Sequence, residues 1–334
     1  MQRQLHEYHP LIGYRFIPHL TARVAHESGG YLVQTNEIGF RCEHPAAPRK
    51  TPDTFRILLF GDSMTAGDGV SNHKRFGDVL EKRLEGSEVL NFGLSGSGTD
   101  QQFLIFREFA RELEYDLLLI CPFVENIRRV ISRYRLATTR EDERAAYIAK
   151  PYFELERGSL RLRHVPVPKG LFSEYDLPPD AHQHVDNGGP SPALRKVLNT
   201  SLKPFKHLVH GMGYGDLQHY DRPDEPAWLL LKALLRQWLS ENGERPAVIC
   251  PIPLYAHIEQ TASPESYLRR FGELAEPGCG VVVCDPLPRF WALTPEERWR
   301  CRFPQDIHFS PFGHAVMADA LQPCIEQFLS KGCA

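Results

Sequence analysis

No stretch of this 334-residue chain approaches the roughly 18 to 20 consecutive apolar residues that a helix needs to cross a bilayer. Met1 to Pro10 is polar, carries Arg3, His6, Glu7 and His9, and shows no apolar signal-peptide core. The expectation is a cytoplasmic protein. No C-x-x-C pair occurs among the eight cysteines, which argues against a zinc ribbon. Cys121, Cys250 and Cys284 instead sit at the ends of apolar runs, as small buried hydrophobes do in a reducing compartment. Cys279 and Cys284 are the closest pair and the one candidate for a ligand or redox couple. The formal net charge is only -3, with a pI near 6.6, which gives no whole-molecule attraction to nucleic acid or an anionic membrane. No internal repeat is present.

What the chain does have is ordinary globular composition, 42% hydrophobic and 24% charged, in a length that allows one large domain or two smaller ones. Five short apolar runs suit strands buried on both faces: Phe55–Phe60, Glu88–Phe92, Asp116–Cys121, Ala247–Pro251 and Gly280–Cys284. Helical spacing lies between and after them, over Arg75–Leu84, Gln101–Leu113, Pro226–Leu239 and Pro311–Leu329. This alternation predicts an α/β fold, a three-layer doubly wound sheet of about five parallel strands. One interval breaks the rhythm. From Asn126 to Asp224 no core strand stands out, and the segment at about 127–225 is read as a lid-like insertion after the third strand. Residues 1–54 are expected to form an N-terminal extension packing on the 55–334 domain, with a hairpin around Tyr31–Arg41.

Reactive groups in such a sheet gather at the carboxyl ends of the strands. The first strand runs into Gly61-Asp62-Ser63, so the Ser63 hydroxyl sits at that edge, either as a nucleophile or as a cap for the next helix. The second strand leads to Gly93-Leu94-Ser95-Gly96-Ser97-Gly98, where Gly96 is a candidate oxyanion donor or part of a plain turn. The loop lacks the lysine of a P-loop and the G-x-G-x-x-G spacing. After the third strand, Asn126 could give a side-chain N–H to the same oxyanion, or satisfy its own loop. A serine hydroxyl needs a general base, and a neutral imidazole suits that role. Before the last helix stand Asp306 and His308, a base with an acid two residues upstream; His314 reads as a structural residue on the helix itself.

In that order Ser63, Gly96, Asn126 and His308 resemble the SGNH (GDSL) hydrolase superfamily, over roughly residues 55–126 and 246–329. The segment Thr35-Asn36-Glu37-Ile38-Gly39-Phe40-Arg41 is also similar to the upstream part of a bacterial subgroup often tied to carbohydrate esters. The resemblance implies a flavodoxin-like sheet and a serine esterase or lipase mechanism without metal or organic cofactor. Ser63 would be the nucleophile, His308 the base and Asp306 the acid, with the Ser63 N–H, Gly96 and Asn126 as the oxyanion hole. Two departures stand out. Asn126 is followed by Ile127 where the family commonly has Asp, and the usual Asp-x-x-His becomes Asp306-x-His308, with Gln305 at the longer distance. Asp285, after the fifth strand, is the alternative acid.

Asp62, Glu125, Arg128 and Arg129 adjoin these positions and are candidate substrate-binding residues. The run Arg128, Arg129, Arg133 and Arg135 reads as a solvated helical face, or else Arg128 or Arg129 enters the pocket to bind an acidic group. His182 and His184 read as a surface loop or a metal site. Three functions fit: hydrolysis of a small acyl ester, such as acetyl on a sugar or sugar-bearing metabolite; acyl transfer to an alcohol or amine; and a binding module that kept the fold. The expected partner is a small-molecule or carbohydrate ester, with no nucleic acid and no membrane span. Oligomeric state leaves no signal in the sequence.

Overall fold

The computed structural model describes residues 4–137, 146–178, 185–186, 215–276, 278 and 280–329. Numbered in chain order, the first four strands precede the core sheet: β1 (His6–His9), β2 (Gly13–Phe16), β3 (Thr21–Val24) and β4 (Tyr31–Gln34). They pair as two antiparallel hairpins, β1 with β2 and β3 with β4. The expected hairpin around Tyr31–Arg41 is therefore displaced. Tyr31–Gln34 is the second strand of its hairpin, and the chain beyond it turns, with Asn36 Oδ1 accepting from Phe40 N at 3.0 Å. Gly39 has φ +76, and a Cβ there would meet Phe16 O at 2.2 Å, so only glycine fits this turn. Arg41 is then buried and reaches forward, donating to Gly67 O and Val70 O at 2.8 and 2.7 Å.

The core is one parallel sheet of five strands: β5 (Phe55–Gly61), β6 (Ser87–Asn91), β7 (Leu117–Cys121), β14 (Ala247–Ile249) and β15 (Val281–Val283). All five match the apolar runs read from sequence, within a residue or two at each end. Their order across the sheet is β6-β5-β7-β14-β15, the flavodoxin-like arrangement. Apolar faces on both sides are covered by helices, among them Phe76–Arg83, Pro226–Asn242 and Pro311–Leu329. The pattern read as one helix over Gln101–Leu113 starts earlier, at Thr99, and widens into a π-helical turn at Phe106–Ala110.

The interval after β7 is richer than a loop. It holds β8 (Tyr134–Ala137), β9 (Ala146–Ala149), β10 (Tyr152–Glu156), β11 (Ser159–Arg163), β12 (Phe172–Ser173) and β13 (Val185–Asp186). β10 and β11 make a hairpin, while β12-β9-β8-β13 form a second small sheet around Tyr134, Tyr147, Val167 and Leu177. The buried Lys150 fastens this unit to the core through Asp100 and the carbonyls of Arg129 and Ser132. Among the described residues no helix is long and apolar enough to cross a membrane.

Candidate active site

In this strand order the chain leaves β5 in one direction and later crosses to β7 in the other, which opens a crevice beyond their carboxyl ends. Ser63 follows β5 directly and begins the short helix Ser63–Ala66. Gly61 allows that abrupt turn, since a Cβ there would lie 2.0 Å from Thr65 Oγ1 and 2.9 Å from Cys121 O. Asp62 caps the helix, its Oδ1 accepting from Met64 N at 2.9 Å.

His308 arrives from the loop before the last helix and puts its Nε2 2.8 Å from Ser63 Oγ. Its Nδ1 lies 2.5 Å from Asp306 Oδ1. The three side chains thus form one hydrogen-bonded chain. Asp285 takes no part in it: its Oδ1 accepts from Leu287 N at 3.0 Å, beginning the next helix. The short Asp-x-His spacing has a local meaning. Asp306 Oδ1 also accepts from the His308 backbone N at 3.1 Å, an Asx turn that orders both residues together. His314 stands apart, buried, with its Nδ1 accepting from Phe76 N at 3.2 Å, and burial lowers it to about 3.

Electrostatics follow from these contacts. Burial works against the charged form of Asp306, but the hydrogen bond and charge of His308, with a further bond from His26, outweigh it and bring the carboxyl down to about 2. Burial likewise disfavours the His308 imidazolium, yet Asp306 and the nearby Asp68 and Asp62 raise it above its ordinary value. Burial pushes Asp62 up, against Arg129, the Met64 N–H and Asn126.

The other candidates divide. Gly96, with φ +79, faces the same cavity as Ser63 and His308. Asn126 is brought to the strand ends, but its Nδ2 donates to Asp62 Oδ2 at 2.6 Å. That bond uses one of its two amide hydrogens. Glu125 and Arg128 pair with each other at 2.5 Å, and neither lines the cavity. Arg129 does, with Nη1 3.8 Å from Asp62 Oδ2. His182, His184 and Cys279 lie outside the described residues. Among the described residues no group of three or more His, Cys, Asp or Glu could hold a metal ion.

The cavity measures about 680 Å³. Its walls include Asp68, Ser95, Arg135 and Lys169, with Tyr8, Tyr14, Leu136 and Ile148 beside them. Four further residues adjoin the site. Asp68 accepts from Ser95 Oγ at 2.7 Å, Tyr14 donates to Ser95 O at 2.8 Å, Arg135 donates to Gly96 O at 3.2 Å, and His26 lies 3.0 Å from Asp306 Oδ2. Arg135 was visible only as one of four arginines after Asn126. Tyr14 and His26 belong to the N-terminal hairpins, and separations of 81 and 280 residues leave no local pattern to read.

Chemically, the arrangement offers a hydroxyl, a base in contact with it, an ionised acid behind the base, and backbone N–H groups at two strand ends. No family model matches the chain, and no curated protein does. Solved structures resemble it at low identity. A member of the lipolytic G-D-S-L family from Veillonella parvula is 12% identical, with 82% of this chain and 100% of that one covered at a TM-score of 0.42. A variant of an acetyl xylan esterase from Geobacillus stearothermophilus is 15% identical, with 82% and 94% covered at 0.42. A lipase/acylhydrolase from Enterococcus faecalis is 13% identical, with 82% and 96% covered at 0.41. No residue role is carried across at that similarity.

Proposed function

We propose that this chain is a serine esterase of the SGNH (GDSL) type, hydrolysing a small acyl ester of a sugar or sugar-bearing metabolite through an acyl-Ser63 intermediate. One observation carries the reading: the continuous contact from Ser63 Oγ through His308 to Asp306, opening on the cavity. His308 takes the Ser63 proton as Oγ attacks the ester carbonyl, and Asp306 stabilises the imidazolium. The oxyanion is held by backbone N–H groups of Ser63 and Gly96, with the remaining amide hydrogen of Asn126. His308 then protonates the departing alcohol, activates water against the acyl-enzyme, and releases the acid. The cavity far exceeds an acetyl group. Its mixture of Asp68, Ser95, Arg129 and Lys169 with tyrosine rings suits a hydroxyl-rich alcohol portion.

Ser63→Ala should lower hydrolysis of an activated acetyl ester by at least about a thousandfold while leaving folding intact. Unchanged turnover in that variant would sink the assignment. A transferase reading draws on the insertion, whose β8 and β9 supply Arg135, Leu136 and Ile148 to the cavity wall. Such a wall can exclude water in favour of an alcohol or amine acceptor. Product analysis with and without acceptor separates the two, since both pass through acyl-Ser63.

A further inference from the structure

The Asx turn at Asp306 leaves a geometric question. Oδ1 is occupied by His308, through both the ring Nδ1 and the backbone N. A carboxylate held by one oxygen can rotate about its last bond, which would carry Oδ1 off the imidazole. Oδ2 is the atom that can prevent this, and its partner is the Nε2 of His26 at 3.0 Å.

His26 is itself fixed from several directions. Its Nδ1 lies 2.9 Å from Ser28 Oγ and accepts from Ser28 N at 3.2 Å, and the backbone bond favours the neutral tautomer with its proton on Nε2, facing Asp306. The ring packs edge-on against Phe303 and Tyr31, with centroids 4.6 and 5.8 Å away. The next residue, Glu27, accepts from the backbone N of Gln305 and of Asp306 at 3.0 and 2.8 Å. The turn between β3 and β4 therefore grips the Asp306 loop by both its backbone and its acid. The pair is only partly open to water, with the His26 side chain 11% exposed and that of Asp306 28%.

We infer that His26 is a positioning residue of the active site: it donates Nε2–H to Asp306 Oδ2 and so holds the other carboxylate oxygen on His308. The N-terminal extension becomes part of the working site. The inference rests on the proposed roles of Ser63, His308 and Asp306, and it extends them to a side chain from the far end of the chain.

The test uses His26→Phe, which keeps the ring packing on Phe303 and Tyr31 and removes the donor, and His26→Gln, which returns an N–H near the same place. Two readouts are taken: kcat and KM for an activated ester, and the titration of His308 followed by NMR in protein with labelled histidine. Asp62 and Asp68 face His308 and the buried His314 lies near it, while Glu27, Tyr31 and Tyr255 lie around Asp306; all are unchanged in both variants. His26→Phe should lower kcat about 10- to 100-fold with little change in KM, and should move the His308 midpoint. His26→Gln should restore both toward wild type. A His26→Phe protein with wild-type kcat and an unmoved His308 midpoint overturns the inference. So does a loss of kcat that glutamine does not rescue and that leaves the midpoint in place. The NMR titration reads the His26–Asp306–His308 linkage even in a protein that hydrolyses nothing, so a failure of the esterase reading is seen separately, as wild-type protein without turnover.

Discussion

The guanidinium of Arg135 lies so close over Gly96 that a methyl group on the glycine would fall 1.9 Å from Nη1. Arg135 also donates to Tyr14 Oη at 2.9 Å, and Tyr14 in turn donates to Ser95 O. A trans peptide plane points its C=O and N–H in opposite directions, so fixing Ser95 O fixes the Gly96 N–H. Tyr14 of β2 and Arg135 of β8 thus meet over one candidate oxyanion donor.

Gly96→Ala is accordingly expected to be costly on two counts, since its positive φ and the Arg135 contact both resist a side chain. It should lower kcat about 100-fold and stability by about 1 to 2 kcal/mol. Steady-state kinetics with a urea titration checks both; near-wild-type kcat would remove Gly96 from the oxyanion hole.

The choice of acid can be made by paired substitutions. Asp306→Asn should reduce kcat about a thousandfold or more, because an amide cannot stabilise the His308 imidazolium. Asp285→Asn should leave kcat near wild type, since the Asp285 carboxylate accepts from Leu287 N and makes no bond to His308. Kinetics on the two variants side by side decides between them, and a reversed order would reassign the acid.

The pH dependence carries a definite sign. His308 must be neutral to accept the Ser63 proton, and its neighbours raise it, so kcat/KM should rise with pH along a limb centred above the ordinary imidazole value of about 6.5. Asp306 is depressed to about 2 from 3.8, so its ionised form stabilises the fold above the unfolded value, and that contribution is lost as pH falls toward 2. The raised His308 acts oppositely, its contribution being full below the unfolded value and lost as pH rises through the folded one. Denaturant midpoints of wild type and Asp306→Asn should therefore converge between about pH 4 and pH 2. A constant gap across that range would contradict the assigned ionisation.

The parts legible in sequence were those written in short range. Each core strand is a local apolar run, and Ser63, Gly96, Asn126 and Asp306-x-His308 each follow or precede one element. The contacts made across the fold were not legible. Tyr14 and His26 sit in the two N-terminal hairpins, and only the folded chain brings them to Ser95 and Asp306. The insertion's strands escaped for a different reason. β11 alternates exposed and half-buried positions, and β12 and β13 are two residues long, so neither gives a core-like run. The commitment of Asn126 to Asp62 was equally invisible, since 64 residues separate them.

The central claim is that the Ser63 hydroxyl is an activated nucleophile. Its most direct test is intact-mass measurement after exposure to a fluorophosphonate, with peptide mapping of the adduct, on wild type and Ser63→Ala. An activated Ser63 gives a single adduct on Ser63 in wild type and none in Ser63→Ala. An unreactive wild type, or an adduct that persists in Ser63→Ala, would contradict it.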